Sequence, residues 1–282
     1  MGILADIHGG LCNLNFNSKD VSNIRTNLRQ GLTFRDMDAT LEYFQKLQAK
    51  SPSFFYAVKV DRSNTVRALF WVDGRTGELY KNFRDCVFFD TTFCTNRYNM
   101  PFAPLVGINN HMQTILLGIV LLPNETTEIF VWVFEALKKA MGGLEPLNIM
   151  TDQDKAMKAS ISQEFPNAKH RCCKWHVMSK GRDKLTWLIS FEENFDKELD
   201  YCVNKTETIE EFEMLWKQLE DKYNLRDNQF WQNMLATRHM WGPTYFKMDL
   251  FPFTGTTGRS EGMNALFKKV FHPQDSVLQF VT

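Results

Sequence analysis

Cys86-Val87-Phe88-Phe89-Asp90 and Leu147-Asn148-Ile149-Met150-Thr151-Asp152 are two short, nearly continuous apolar runs, each closed by a carboxylate. Runs of this length lack room for a helical repeat and predict short strands buried on both faces of a sheet. Around them the apolar period alternates between strand and helix. Phe55–Val60 and Ala68–Val72 are strand-like, with Asp73-Gly74-Arg75-Thr76-Gly77 as turn material. Phe102–Ile108 and Thr114–Leu122 predict two further strands joined by Asn109-Asn110-His111-Met112-Gln113. Thr126–Met141 predicts a helix with Ile129, Val133, Phe134 and Leu137 on one face and Gly142-Gly143 as its stop. A helix reaching about Phe165 follows Asp152, and a brief strand near Ala168–Arg171 follows that helix. Strands interleaved with helices predict a mixed α/β sheet with helices packed on it.

The flanks read differently. Residues 1–52 predict a helical N-terminal segment: one helix after Asn17-Ser18-Lys19-Asp20 ending near Gly31, a second over Asp36–Ala49, and Pro52 as the close. Residues 53–176 hold the α/β core. Over 177–250 the pattern turns to long helices, Lys184–Leu199 and Glu207–Tyr223, which predict a helical insertion. Residues 251–282 return to the core through a Gly/Thr-rich turn and a helix starting near Ser260.

Ligands in open α/β sheets gather at the C-terminal ends of strands, where Asp90 and Asp152 are placed. Two-metal phosphoryl transfer needs carboxylates converging on Mg²⁺ ions roughly 3.5–4 Å apart. Glu261, at the start of a helix after a flexible turn, is the candidate third ligand. Each acid alone has a plainer reading: a strand-end Asp commonly forms a turn or caps a helix, and Asp152 sits where it would cap the helix beginning near Asp154.

His170-Arg171-Cys172-Cys173-Lys174-Trp175-His176 contains a Cys-x-x-His, Cys173 to His176, of the type zinc uses. A structural zinc needs four ligands, and only Cys202 and His239 offer distant partners. The alternative is a helix-start packing motif with a buried Cys and Trp. Trp231, Trp241, Tyr245 and Phe246 lie near Arg238 and His239, where rings beside cations can stack bases; the plainer assignment is the core of a helical lobe. Lys268-Lys269 reads as a solvated helix side.

The chain has 282 residues, 33 basic against 33 acidic, with 44% apolar and 13% aromatic residues. That length supports a sizeable core. Zero net charge counts against a free-standing DNA grip, which draws on a basic excess. The six cysteines show no framework spacing and read as reduced thiols or ligands. No run of about 18 apolar residues suggests a membrane span, and Asp6 and His8 interrupt any signal-peptide core, so an intracellular setting is expected.

The motifs become specific together. Phe89-Asp90-Thr91-Thr92-Phe93 with Thr95-Asn96-Arg97-Tyr98-Asn99-Met100-Pro101-Phe102 resembles the first-aspartate block of the plant far-red-impaired-response family. Thr151-Asp152-Gln153-Asp154-Lys155-Ala156-Met157 resembles its second-aspartate block. Phe165-Pro166-Asn167-Ala168-Lys169-His170-Arg171, running into Cys173-Lys174-Trp175-His176, resembles its Cys/His block. Thr256-Thr257-Gly258-Arg259-Ser260-Glu261-Gly262-Met263-Asn264 resembles its final-glutamate block. All four occur in family order, from about Asp20 to the end.

That family is similar to Mutator-like element transposases. The resemblance implies an RNase H-like mixed sheet interrupted by a helical insertion, and a metal site at Asp90, Asp152 and Glu261 taking Mg²⁺ or Mn²⁺. It also implies a nuclear setting, DNA as partner in the full-length family context, homo- or heterodimers of related proteins, and transcription regulation in light signalling. The family's amino-terminal zinc-chelating module and carboxy-terminal SWIM zinc finger have no counterpart among these residues, so a fragment or a shortened copy is expected. A regulator lacking catalysis is favoured over a metal-dependent transposase, because a lone core has no obvious means of choosing a DNA end.

Overall fold

Strand β3 (Val87–Phe89) is the hub of the sheet, all three of its side chains being fully buried. In this computed structural model, which describes residues 36–91, 98, 100–251, 257–270 and 275–282, β3 pairs parallel with β6 (Asn148–Thr151), Val87 opposite Ile149. On its other side it pairs antiparallel with β4 (Phe102–Ile108), Phe89 opposite Leu105. β6 pairs parallel with β7 (Lys169–Cys172), and β4 antiparallel with β5 (Thr114–Leu121). The hairpin β1 (Phe55–Val60) and β2 (Val66–Val72) extends the β5 edge, giving the order β1-β2-β5-β4-β3-β6-β7. The five strands β5-β4-β3-β6-β7, with β4 antiparallel to both its neighbours and β3, β6 and β7 parallel, have the RNase H-like arrangement.

Helices cover both faces because both carry apolar rows. On one face α3 (Thr127–Ala140) buries Ile129, Phe130, Val133, Phe134 and Leu137, and Phe89 meets Phe130 and Phe134 edge-on at 5.9 and 5.4 Å. α4 (Lys155–Glu164) packs beside α3. The other face holds α1 (Asp36–Lys50), α10 (Gly258–Val270) and α11 (Val277–Val281), joined to the strands through Phe102, Phe267, Phe280 and Trp71. The buried carboxylate of Asp36 accepts the backbone N–H groups of Val277 and Leu278 at 2.8 and 3.0 Å and the Tyr98 hydroxyl at 2.9 Å, so the first described helix caps the last.

Between β7 and α10 run α5 (Lys174–Lys184), α6 (Thr186–Phe191), α7 (Phe195–Lys205), α8 (Ile209–Lys222) and α9 (Gln229–Thr237) around a core of their own. Trp216 stacks on Trp231 at 4.1 Å, with Trp241 and Phe212 alongside. Trp231 and Trp241 are thus core of the helical lobe, with Tyr245 half-buried against them, whereas Phe246 packs with Phe251 and Phe88 at the sheet.

Three details depart from the sequence expectations. The turn read at Asp73–Gly77 runs into α2 (Thr76–Phe83), a helix without a sequence assignment, whose Thr76 and Tyr80, one turn apart, bury on one side. The helix predicted over Lys184–Leu199 is broken twice, because Leu185 leaves helical geometry and Glu192 is extended. Trp175, expected to be buried, is 53% exposed. The helix predicted near Asn17–Gly31 and parts of the first-aspartate and glutamate blocks lie outside the described residues.

Candidate acidic and Cys/His site

Because β3 and β6 are parallel neighbours, the carboxylates that follow them emerge at the same edge of the sheet. Asp90, one residue past β3, is buried. Burial pushes its carboxyl up to about 7, with the charge of Asp152, then Glu261 and Glu125, adding to the shift and His176 opposing it. Glu261 arrives from the first turn of α10, which packs over β4 and β3. The three acids predicted as a triad therefore share one electrostatic neighbourhood.

Asp152 does not cap the following helix. Asp154 does: its side chain accepts the Met157 N–H at 2.8 Å. Asp152 is thereby left to face the site, where its Oδ1 forms an ion pair with His176 Nδ1. On the far side of the ring, His176 Nε2 lies 3.9 Å from Glu261 Oε1. Asp152 is the first cause, and Cys173 the second, of a shift that raises the imidazole to about 10 against the opposing effect of burial. At neutral pH His176 is a cation set between two of the three acids.

Cys173 stands at the adjacent strand end. β6 and β7 align Thr151 with Cys172, and the Cys173 N–H continues the pairing to Thr151 O at 2.7 Å, so Asp152 and Cys173 leave neighbouring strands side by side. Cys173 is buried at the start of α5, and its Sγ accepts the Thr257 N–H at 3.3 Å. Burial opposes the thiolate, but hydrogen bonds from His176 and Thr257 outweigh it and hold the thiol below its ordinary range. The Thr257 hydroxyl in turn donates to Glu261 Oε1 at 3.1 Å, tying the glutamate block to the Cys/His block.

The two motifs read separately in the sequence are thus one site. Asp152, Cys173 and His176 bring a carboxylate oxygen, a sulfur and a ring nitrogen within 4.8 Å of one another. Cys202 is buried inside the helical core and His239 is exposed, and neither joins this cluster. Thr257, named in the sequence only as a member of the glutamate block, joins the site because its place four residues before Glu261 is one helical turn. The three acids fit a hard ion. Asp90, Asp152 and Glu261 offer hard oxygens of the type Mg²⁺ and Mn²⁺ take, and the Asp90 carboxyl is raised first by its burial and then by the charge of the neighbouring acids.

Comparison with known proteins follows the same residues. The MULE transposase domain matches residues 86–180, a span that contains Asp90, Asp152, Cys173 and His176. The chain is 36% identical over 280 residues, 99% of its length, to FAR1-RELATED SEQUENCE 5 of Arabidopsis thaliana, covering 36% of that protein. It is 37% identical over 220 residues to FAR1-RELATED SEQUENCE 12, covering 77% of the chain and 28% of that protein. It is 32% identical over 246 residues to FAR-RED IMPAIRED RESPONSE 1, covering 87% of the chain and 30% of that protein, both again from Arabidopsis thaliana. The chain spans about a third of the length of these curated relatives. A MULE transposase domain thus lies at the centre of the chain, and along most of its length the chain is similar to proteins of the plant far-red-impaired-response family.

Proposed function

We propose that the chain is the transposase-derived core of a nuclear regulator of transcription, using an inherited acidic site as scaffold rather than as a DNA-cutting centre. The observation that carries this reading is the position of His176. Its imidazolium pairs with Asp152 and faces Glu261, so a protein cation competes with any divalent ion for two of the three acids. The even balance of 33 basic and 33 acidic residues supports a core that relies on other modules to hold DNA. The name of the relative FAR-RED IMPAIRED RESPONSE 1 supports a role in light response. In the longer family context the partners are DNA and further copies of related proteins.

Convergence of Asp90, Asp152 and Glu261 favours a second reading, a metal-dependent Mutator-like transposase. These three residues would hold Mg²⁺ or Mn²⁺, which when bound supplies charge neutralisation and water activation at a phosphodiester. The chain's own part would be to keep Asp90 and Asp152 at fixed strand ends and to release Asp152 from His176. Purified protein incubated with Mg²⁺ or Mn²⁺ and labelled duplex should neither nick nor join DNA. Metal-dependent cleavage that Asp90→Ala abolishes would establish the transposase reading instead.

A further inference from the structure

We propose that Asp152, Cys173 and His176 form a binding site for a single zinc ion. The donor set is sulfur, imidazole nitrogen and carboxylate oxygen, already gathered within 4.8 Å. Zinc takes such mixed ligands at tetrahedral sites, whereas Mg²⁺ seeks oxygen alone. The donors stand on rigid elements: Asp152 follows β6, and Cys173 and His176 occupy the N-cap and third position of the eleven-residue α5.

Two further observations point to a ligand rather than to packing. The buried Cys173 sulfur accepts the Thr257 N–H at 3.3 Å, from a different part of the fold, an outer contact that fixes a ligating sulfur and favours its thiolate. The partial positive charge at the start of α5 acts in the same direction. His176 turns Nδ1 to Asp152, while Nε2, on the opposite side of the ring, lies 3.9 Å from Glu261 Oε1, so the fourth position is left to water. An ion held here takes the place of the proton between Asp152 and His176, and that proton leaves to solvent. An ion held here engages Asp152, one of the three acids, and so withholds that carboxylate from Mg²⁺ or Mn²⁺.

Cobalt(II) tests it directly, because a cobalt–thiolate bond gives a near-ultraviolet charge-transfer band that zinc then displaces. The purified chain should show this band at one equivalent of Co²⁺ and lose it on adding one equivalent of Zn²⁺. Cys173→Ser should abolish it. Cys202→Ser, in the helical core, and Asp90→Ala, which removes none of the donors, should leave it. His176→Ala and Asp152→Asn should each weaken zinc binding by at least about tenfold in competition with a chromophoric chelator, and they carry the test if Cys173→Ser does not fold. No band in the parent protein, or a band unchanged in Cys173→Ser or in both of the other ligand variants, would overturn the site. DNA cleavage has no bearing on any of these readouts.

Discussion

Two aspartates of this molecule are equally hidden and oppositely treated. Asp36, 3% exposed, receives two backbone N–H groups of α11 and the Tyr98 hydroxyl, so its charge is answered by donors fixed in place. Asp90, 8% exposed, is surrounded instead by the charges of Asp152, Glu261 and Glu125, and burial together with these acids drives its carboxyl up to about 7. A buried charge is tolerated when hydrogen bonds replace its water and is costly when like charges do. The first arrangement holds two distant parts of the chain together. The second maintains an electrostatic demand for a cation at the edge of the sheet, which is the mark of a functional site rather than of a structural joint.

The widest separation between the two should appear on replacing each. Asp36→Ala strands the two N–H groups and the Tyr98 hydroxyl, and should lower stability by about 3 kcal/mol. Asp90→Asn keeps the shape and removes the buried charge, and at pH 8 should raise stability by as much as about 3 kcal/mol. Urea unfolding at pH 8 reads both. Two losses of equal size would dissolve the contrast.

The next effect is a pH dependence. Asp90 rises from an ordinary 3.8 to about 7 on folding. The folded state therefore binds the extra proton, and stability from this group falls as pH climbs between about 4 and 7. His176 rises from 6.5 to about 10, so its contribution is complete below about 6.5 and is lost as pH climbs toward 10. Both slopes have the same sign, and the protein should be more stable at pH 6 than at pH 9.5. His176→Gln should flatten the upper part of the curve, by about 1 kcal/mol given the partial exposure of the pair, while leaving the lower part to Asp90. A profile rising across this range would show that the acids carry no such penalty.

What the sequence disclosed follows from how local each signal is. Val87-Phe88-Phe89 and Asn148-Ile149-Met150 announce buried strands by themselves, and the acids after them inherit a position at the sheet edge. Thr76–Phe83 stayed hidden because Gly74 and Gly77 mark a turn and only Thr76 and Tyr80 bury in so short a helix. Asp36 offered no hint, since its partners lie 62, 241 and 242 residues away. The union of Cys173 and His176 with the acids depends on the register of β6 against β7, Thr151 opposite Cys172, and register between parallel strands is set by packing that no single stretch encodes.

The smallest effect tests the same contrast over two residues. Asp154 caps α4 by accepting the Met157 N–H, whereas Asp152 faces His176. Asp154→Ala should cost about 1 kcal/mol, and Asp154→Asn, which can accept the same bond, should recover all but a few tenths. Because a cap bond to the backbone involves no second titrating group, that cost should be the same at pH 6 and pH 9.5. Asp152→Asn should behave otherwise: the cap survives, but the partner that raises His176 is gone, so its cost should appear at pH 6 and shrink toward pH 9.5. Parallel pH profiles for the Asp154 and Asp152 variants would mean that both carboxylates serve the helix, and that the site has lost its second acid.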